Sequence, residues 1–107
     1  MNSETSLNGP ENMLSKNPLE VYGRKLSGEG ISQAIRLAII GELDAINLYL
    51  QLAEAIEDEN ARKVLVEIAE EEKVHVGELL ELLKKFDKEQ EKALEKGAEE
   101  VRELTQR

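Results

Sequence analysis

The sequence predicts an all-α fold, an antiparallel two-helix hairpin plus a short C-terminal helix, and three observations carry that expectation. Apolar residues recur at intervals of three and four through two long stretches, the spacing of a helix face rather than of a strand. The two stretches are parted by a single polar break, Asp58-Glu59-Asn60, brief enough to send the second helix back along the first. Composition agrees, because 40% hydrophobic and 35% charged residues with 3% aromatic suit a helical domain with a thin core. A chain of 107 residues has room for one small domain. A core of that size is marginal alone, so a metal or a second copy would help to hold it.

Residues 1–30 read as a flexible N-terminal arm. Positions 1–18 are polar, hold both prolines and show no period, and positions 19–30 add only Val21, Tyr22 and Leu26 before a glycine-rich break. The helical domain follows over residues 31–107. Its first helix is expected from about Ile31 to Glu57, with the stripe Ile35, Ile39, Glu42, Ile46, Tyr49, Ala53 and Ile56. Leu37, Ala38, Leu43, Ala45 and Leu50 widen that stripe to nearly half the circumference, more than one neighbour can cover. The second helix, about Glu59 to Phe86 with Asp58 as its cap, carries Ala61, Leu65, Ile68, Glu72, His75, Leu79, Leu82 and Phe86. Residues 88–107 form a weaker third helix. Its apolar face, Ala93, Leu94, Ala98, Val101 and Leu104, is sparse, and Gly97 weakens its continuity.

Charge and missing residue types exclude several function classes. The net charge of −9, from 23 acidic and 14 basic residues, argues against nucleic acid or an anionic membrane as partner and would draw cations. Without cysteine there can be no disulfide, thiolate metal ligand or cysteine nucleophile. No run of about 18 apolar residues and no signal-type N-terminus is present, which makes the cytoplasm the expected location.

The chemistry centres on three polar residues that interrupt the apolar stripes: Glu42 on the first helix, and Glu72 and His75 on the second. A lone Glu-x-x-His pair arises readily by chance in a glutamate-rich helix. This pair, however, lies on a stripe that should be buried, where an unpaired carboxylate costs several kcal/mol or changes its ionisation. Glu42 also stands about 16 residues before the turn and Glu72 about 14 after it, so an antiparallel hairpin sets them at nearly one level. A metal is the partner that satisfies all three.

Di-iron carboxylate bundles take one glutamate from each of two helices and a Glu-x-x-His pair from each of two others. One chain here supplies half of that set. A symmetric homodimer would supply the whole, four carboxylates and two imidazoles, which suit iron or manganese better than a structural zinc. Four carboxylates balance two divalent cations, so dimer and metal should be linked equilibria. His75 would bind as neutral imidazole, so affinity should fall in acid.

The flanking residues divide differently. Glu70 and Glu71 lie off the stripe and read as a solvated face. Asp44, two residues from Glu42, points elsewhere and is either a guide for incoming iron or a plain surface carboxylate. Tyr49, two turns from Glu42 on the same face, is either a hydroxyl donor to the ligands or core packing.

The run Gly41-Glu42-Leu43-Asp44-Ala45 through Tyr49, followed 30 residues after Glu42 by Glu72-Lys73-Val74-His75, resembles the encapsulated ferritin family, above all its archaeal ferritin-like domains. The likeness covers about residues 31–104. It implies a half-ferritin whose dimer is a ferritin-like four-helix bundle and whose dimers close into a ring, usually a decamer. It further implies a ferroxidase centre of Glu42, Glu72 and His75 at the dimer interface, oxidising Fe(II) to Fe(III) with O2. The mineral would be stored by an encapsulin shell, placing the protein inside a nanocompartment. The sequence departs from the bacterial pattern at Gly41, Asp44 and Leu48, where an acidic residue, a glutamate and a tryptophan are common, whereas Tyr49 matches. No shell-targeting peptide is evident toward Arg107, which fits fusion to a shell protein, a tail lost from the chain or work without a shell. Two other readings stand beside this one. A rubrerythrin-like di-iron peroxidase is disfavoured by the single Glu-x-x-His motif and the absence of cysteine, and a metal-free helical dimerisation module would bury the same carboxylates protonated or bridged by water.

Overall fold

The computed structural model describes residues 25–106, and all of its regular structure is helical. Helix α1 spans Glu29–Ala55, α2 spans Glu59–Phe86 and α3 spans Lys88–Thr105. The expectation of an arm over residues 1–24, including Val21 and Tyr22, lies outside the described residues.

Both ends of α1 sit two residues before the positions that periodicity predicts, and local hydrogen bonding explains each. At the start, Gly28 takes φ 53°, a conformation that side chains rarely tolerate, and its carbonyl accepts the Ile31 N–H at 3.1 Å. Gly30 is therefore already helical and buried. At the other end Ile56 is extended (φ −102°, ψ 133°), with its N–H bonded to the Leu52 carbonyl at 3.1 Å. Arg62, from the first turn of α2, reaches back and donates to the Ile56 carbonyl at 2.7 Å and to the Ala53 carbonyl at 3.1 Å. That guanidinium satisfies carbonyls the helix end would otherwise leave unpaired.

Helix α2 begins where the sequence places it. The Asp58 carboxylate accepts the Ala61 N–H at 2.9 Å, and Lys84 and Lys85 occupy the last turn, where cations favour the helix dipole. Helix α3 runs unbroken through Gly97. Surface pairs such as Lys88 with Glu91 at 3.5 Å and Lys96 with Glu100 at 3.8 Å lie along it.

α1 and α2 pack along one another as the antiparallel hairpin. Ile35 and Ala53 from α1 and Ala69 and Leu83 from α2 are its buried apolar residues. Ala69 is fully covered, so small side chains at this seam let the helices approach closely. A two-helix seam covers only one strip of each helix. The remaining apolar surface of both stays open: Leu48, Leu52, Val64, Leu82 and Phe86 are exposed. By helical spacing Val64, Leu82 and Phe86 share the His75 side of α2. Ile40 and Leu43 on α1 and Val74 on α2 are also exposed, and helical spacing turns them away from that side.

Candidate metal centre

Glu42 comes from the middle of α1, and Glu72 and His75 from the middle of α2, one turn apart on the same face. The hairpin brings them together. His75 Nδ1 lies 3.2 Å from Glu72 Oε1 and 3.5 Å from Glu42 Oε2. One ligand atom from each residue falls within 4.8 Å of the others, the one such group of three among the described residues. Ligands held about 2.0–2.2 Å from a single cation sit about 3–4.4 Å apart, so the observed spacing is close to that of a loaded site. Two carboxylates and one imidazole form a donor set for iron or manganese, with charge enough to neutralise one divalent ion.

The triad lies at an open edge rather than in a closed core. Side-chain exposure rises from 18% at Glu72 and 27% at Glu42 to 48% at His75, so the carboxylates tuck toward the seam and the imidazole forms the rim. The sequence stripe predicts burial. Among the described residues no element provides it, because α1 covers one strip of α2 and α3 meets α2 without covering the imidazole. The open edge is bordered by the exposed apolar residues of the same face.

The flanking candidates stand apart from the triad. Tyr49 is half-buried and makes no hydrogen bond to Glu42, Glu72 or His75. Asp44 is exposed and outside the cluster. Glu70 and Glu71 are exposed, and Glu70 pairs with Lys73 at 3.1 Å, as a solvated face would.

The likeness to known proteins follows the same residues. The sequence model of the rubrerythrin family matches residues 33–106, the span from the first turns of α1 to the end of α3. The crystal structure of the encapsulated ferritin domain from Pyrococcus furiosus aligns with a TM-score of 0.75 at 52% identity, covering 88% of this chain and 97% of that one. The chain belongs to the rubrerythrin family and, within it, to the encapsulated-ferritin family. Two relatives are longer proteins. A ferritin-like–encapsulin shell fusion protein of Pyrococcus furiosus is 53% identical over 94 residues, which is 87% of this chain. An encapsulin nanocompartment cargo protein of Myxococcus xanthus, EncC, is 35% identical over 82 residues, or 77% of this chain. The chain spans 27% of the length of the first and 63% of the second.

Sequence reasoning located the triad and overlooked two arginines that shape its frame. Arg62 closes the turn end of the hairpin, and Arg36 bonds Asp87 and Gln90 at the other end. The available signal was Arg36 itself, a lone cation between Ile35 and Leu37 in an otherwise apolar run.

Proposed function

We propose that the protein is a ferroxidase that oxidises Fe(II) to Fe(III) at a di-iron centre formed between two copies of the chain, for iron storage inside an encapsulin shell. The observation that carries this reading is the convergence of Glu42, Glu72 and His75 at an open edge flanked by exposed apolar residues. A second copy related by a two-fold axis would cover that edge and bring a second triad against the first. Burying the apolar border supplies the drive for association, at roughly 25 cal/mol per Å². The summed charge of four carboxylates then needs two divalent cations, so assembly and metal loading reinforce one another.

Within such a centre the glutamates hold cations and balance their charge, while His75 offers Nδ1, the nitrogen that already faces both carboxylates. Iron supplies the redox chemistry, passing electrons to O2; the chain supplies geometry, charge and exclusion of bulk water. Asp44, exposed one side of Glu42, is assigned to the iron approach path, and Tyr49 to packing behind the ligands with its hydroxyl available to them.

Support for the shell comes from the two relatives, one named a ferritin-like–encapsulin shell fusion protein and the other an encapsulin nanocompartment cargo protein. The exposed residues Ile40 and Leu43, turned away from the triad side, give a dimer a further surface, as closure into a ring requires, and a decamer is the size proposed.

Aerobic addition of Fe(II) tests the chemistry. The protein should produce Fe(III) absorbance faster than buffer, and the Glu72→Ala, His75→Ala variant should fall to the buffer rate. Equal rates with and without the native protein overturn the ferroxidase reading. Acceleration by hydrogen peroxide but not by O2 would replace it with a peroxidase. Dimers of equal mass and abundance in chelator and in Fe(II), seen by native mass spectrometry, would replace it with a metal-free dimerisation module.

A further inference from the structure

The geometry points to Arg36 as the residue that aims α3: its guanidinium clamps the joint between α2 and α3 and sets the direction in which α3 leaves the hairpin. Among the described elements, helix α3 packs against α2 and its backbone makes no contact with α1. Only its beginning is held, since Gln90 and Glu91 are half-buried and every described residue from Lys92 onward is exposed. Among the described residues, one side chain makes the polar link to α1. Arg36 Nε donates to Gln90 Oε1 at 3.3 Å, and a terminal nitrogen pairs with the Asp87 carboxylate. The other terminal nitrogen lies 3.6 Å from Glu29.

Asp87 is the whole of the joint. It is the one residue between α2 and α3, extended at φ −138° and ψ 92°. Its N–H closes α2 on the Leu83 carbonyl at 2.8 Å, and its Oδ1 caps α3 through the Gln90 N–H at 2.9 Å. A single residue in the broad extended region permits tens of degrees of swing, so its backbone alone does not fix the angle. The second carboxylate oxygen, left free by the cap, is the one Arg36 takes. A planar guanidinium that grips two acceptors, one at the cap and one a turn inside α3, restrains both direction and roll. The lever is long. Eighteen residues make an arm of about 27 Å, so about 10° at the joint moves its tip by about 5 Å. Leu94, Val101 and Leu104, the exposed apolar residues of that arm, are therefore placed by Arg36.

The chain has no cysteine, so two can be introduced and spin-labelled, at Gln33 on α1 and Glu99 on α3, both exposed. The labelled full-length chain is diluted into unlabelled protein so that only distances within one chain are read. The native sequence should give a narrow distance distribution. Arg36→Gln should broaden it about twofold at unchanged helical circular dichroism, because the joint returns to the wide extended basin. Asp87→Asn keeps an N-cap and loses the ion pair, and should broaden it comparably, with the double variant no broader than either. Arg36→Lys should not restore the native width, since lysine lacks the fork. A native-width distribution in Arg36→Gln, or in Asp87→Asn should Arg36→Gln lose its helicity, overturns the proposal. Both labels lie in one chain and no iron is needed, so this failure is distinct from failure of the ferroxidase reading.

Discussion

The hairpin and α3 are built by the same periodic code and end in opposite situations. α1 and α2 each carry more apolar surface than one neighbour can cover, so they bury a seam of Ile35, Ala53, Ala69 and Leu83 and still expose large residues on two sides. α3 has a sparse apolar face, buries none of it and is held only at its first turn. The difference shows where polar residues can become a site. Glu42, Glu72 and His75 converge because two long helices are locked in register beneath them, with a covalent turn braced by Arg62 at one end and the Arg36 clamp at the other. An arm fixed at one point offers no such frame.

That contrast can be broken by mutation. Leu83→Ala, in the buried seam, should cost about 2–5 kcal/mol in urea unfolding, measured at one fixed protein concentration. Leu94→Ala, on the arm, should cost below about 1 kcal/mol. Equal costs would mean that α3 belongs to the hairpin's core, against the packing described. Ala69→Leu sharpens the same point from the other direction. Ala69 is fully covered, so a larger side chain must spread α1 from α2, at about 1–3 kcal/mol. It lies one turn from Glu72, and spreading the seam should lengthen the 3.5 Å approach of His75 to Glu42. Weaker Fe(II) or Mn(II) binding by calorimetry in a variant that remains helical is the expected result. Unchanged affinity would show that the triad does not depend on the close seam.

Much of this was legible in the residues themselves. The hairpin, the Asp58 cap and the level match of Glu42 with Glu72 follow from periodicity and the short break, because rise per residue converts sequence distance directly into height. The ends of α1 were not legible. They depend on Gly28 in a positive-φ conformation and on an Arg62 side chain from another helix, neither of which periodicity encodes. The stripe alone shows which residues seek cover and not which element provides it, and among the described residues the triad stays open. The break at Asp87 was legible, since the two predicted spans stop on either side of it. Its double service as C-cap and N-cap and its pairing with Arg36 were not, because the carboxylate is shared with a side chain from another helix.

The smallest effect is the most diagnostic for α3. Gly97 sits mid-helix with nothing beyond its own stretch of helix within 4 Å of the position a Cβ would take, so alanine fits without strain. Glycine is worse than alanine in a helix interior by about 1 kcal/mol, chiefly through the freedom it retains when unfolded. If α3 opens independently of the hairpin, that gain belongs to α3 alone. Amide exchange within residues 92–105 should then slow by about fivefold in Gly97→Ala, while the amides of α1 and α2 and the urea midpoint stay where they were. A rise in the midpoint with uniform slowing would mean that the arm and the hairpin unfold as one unit. Local slowing alone is what a single-point attachment requires, because the free energy of a helix held at one end cannot be shared with a seam it does not touch.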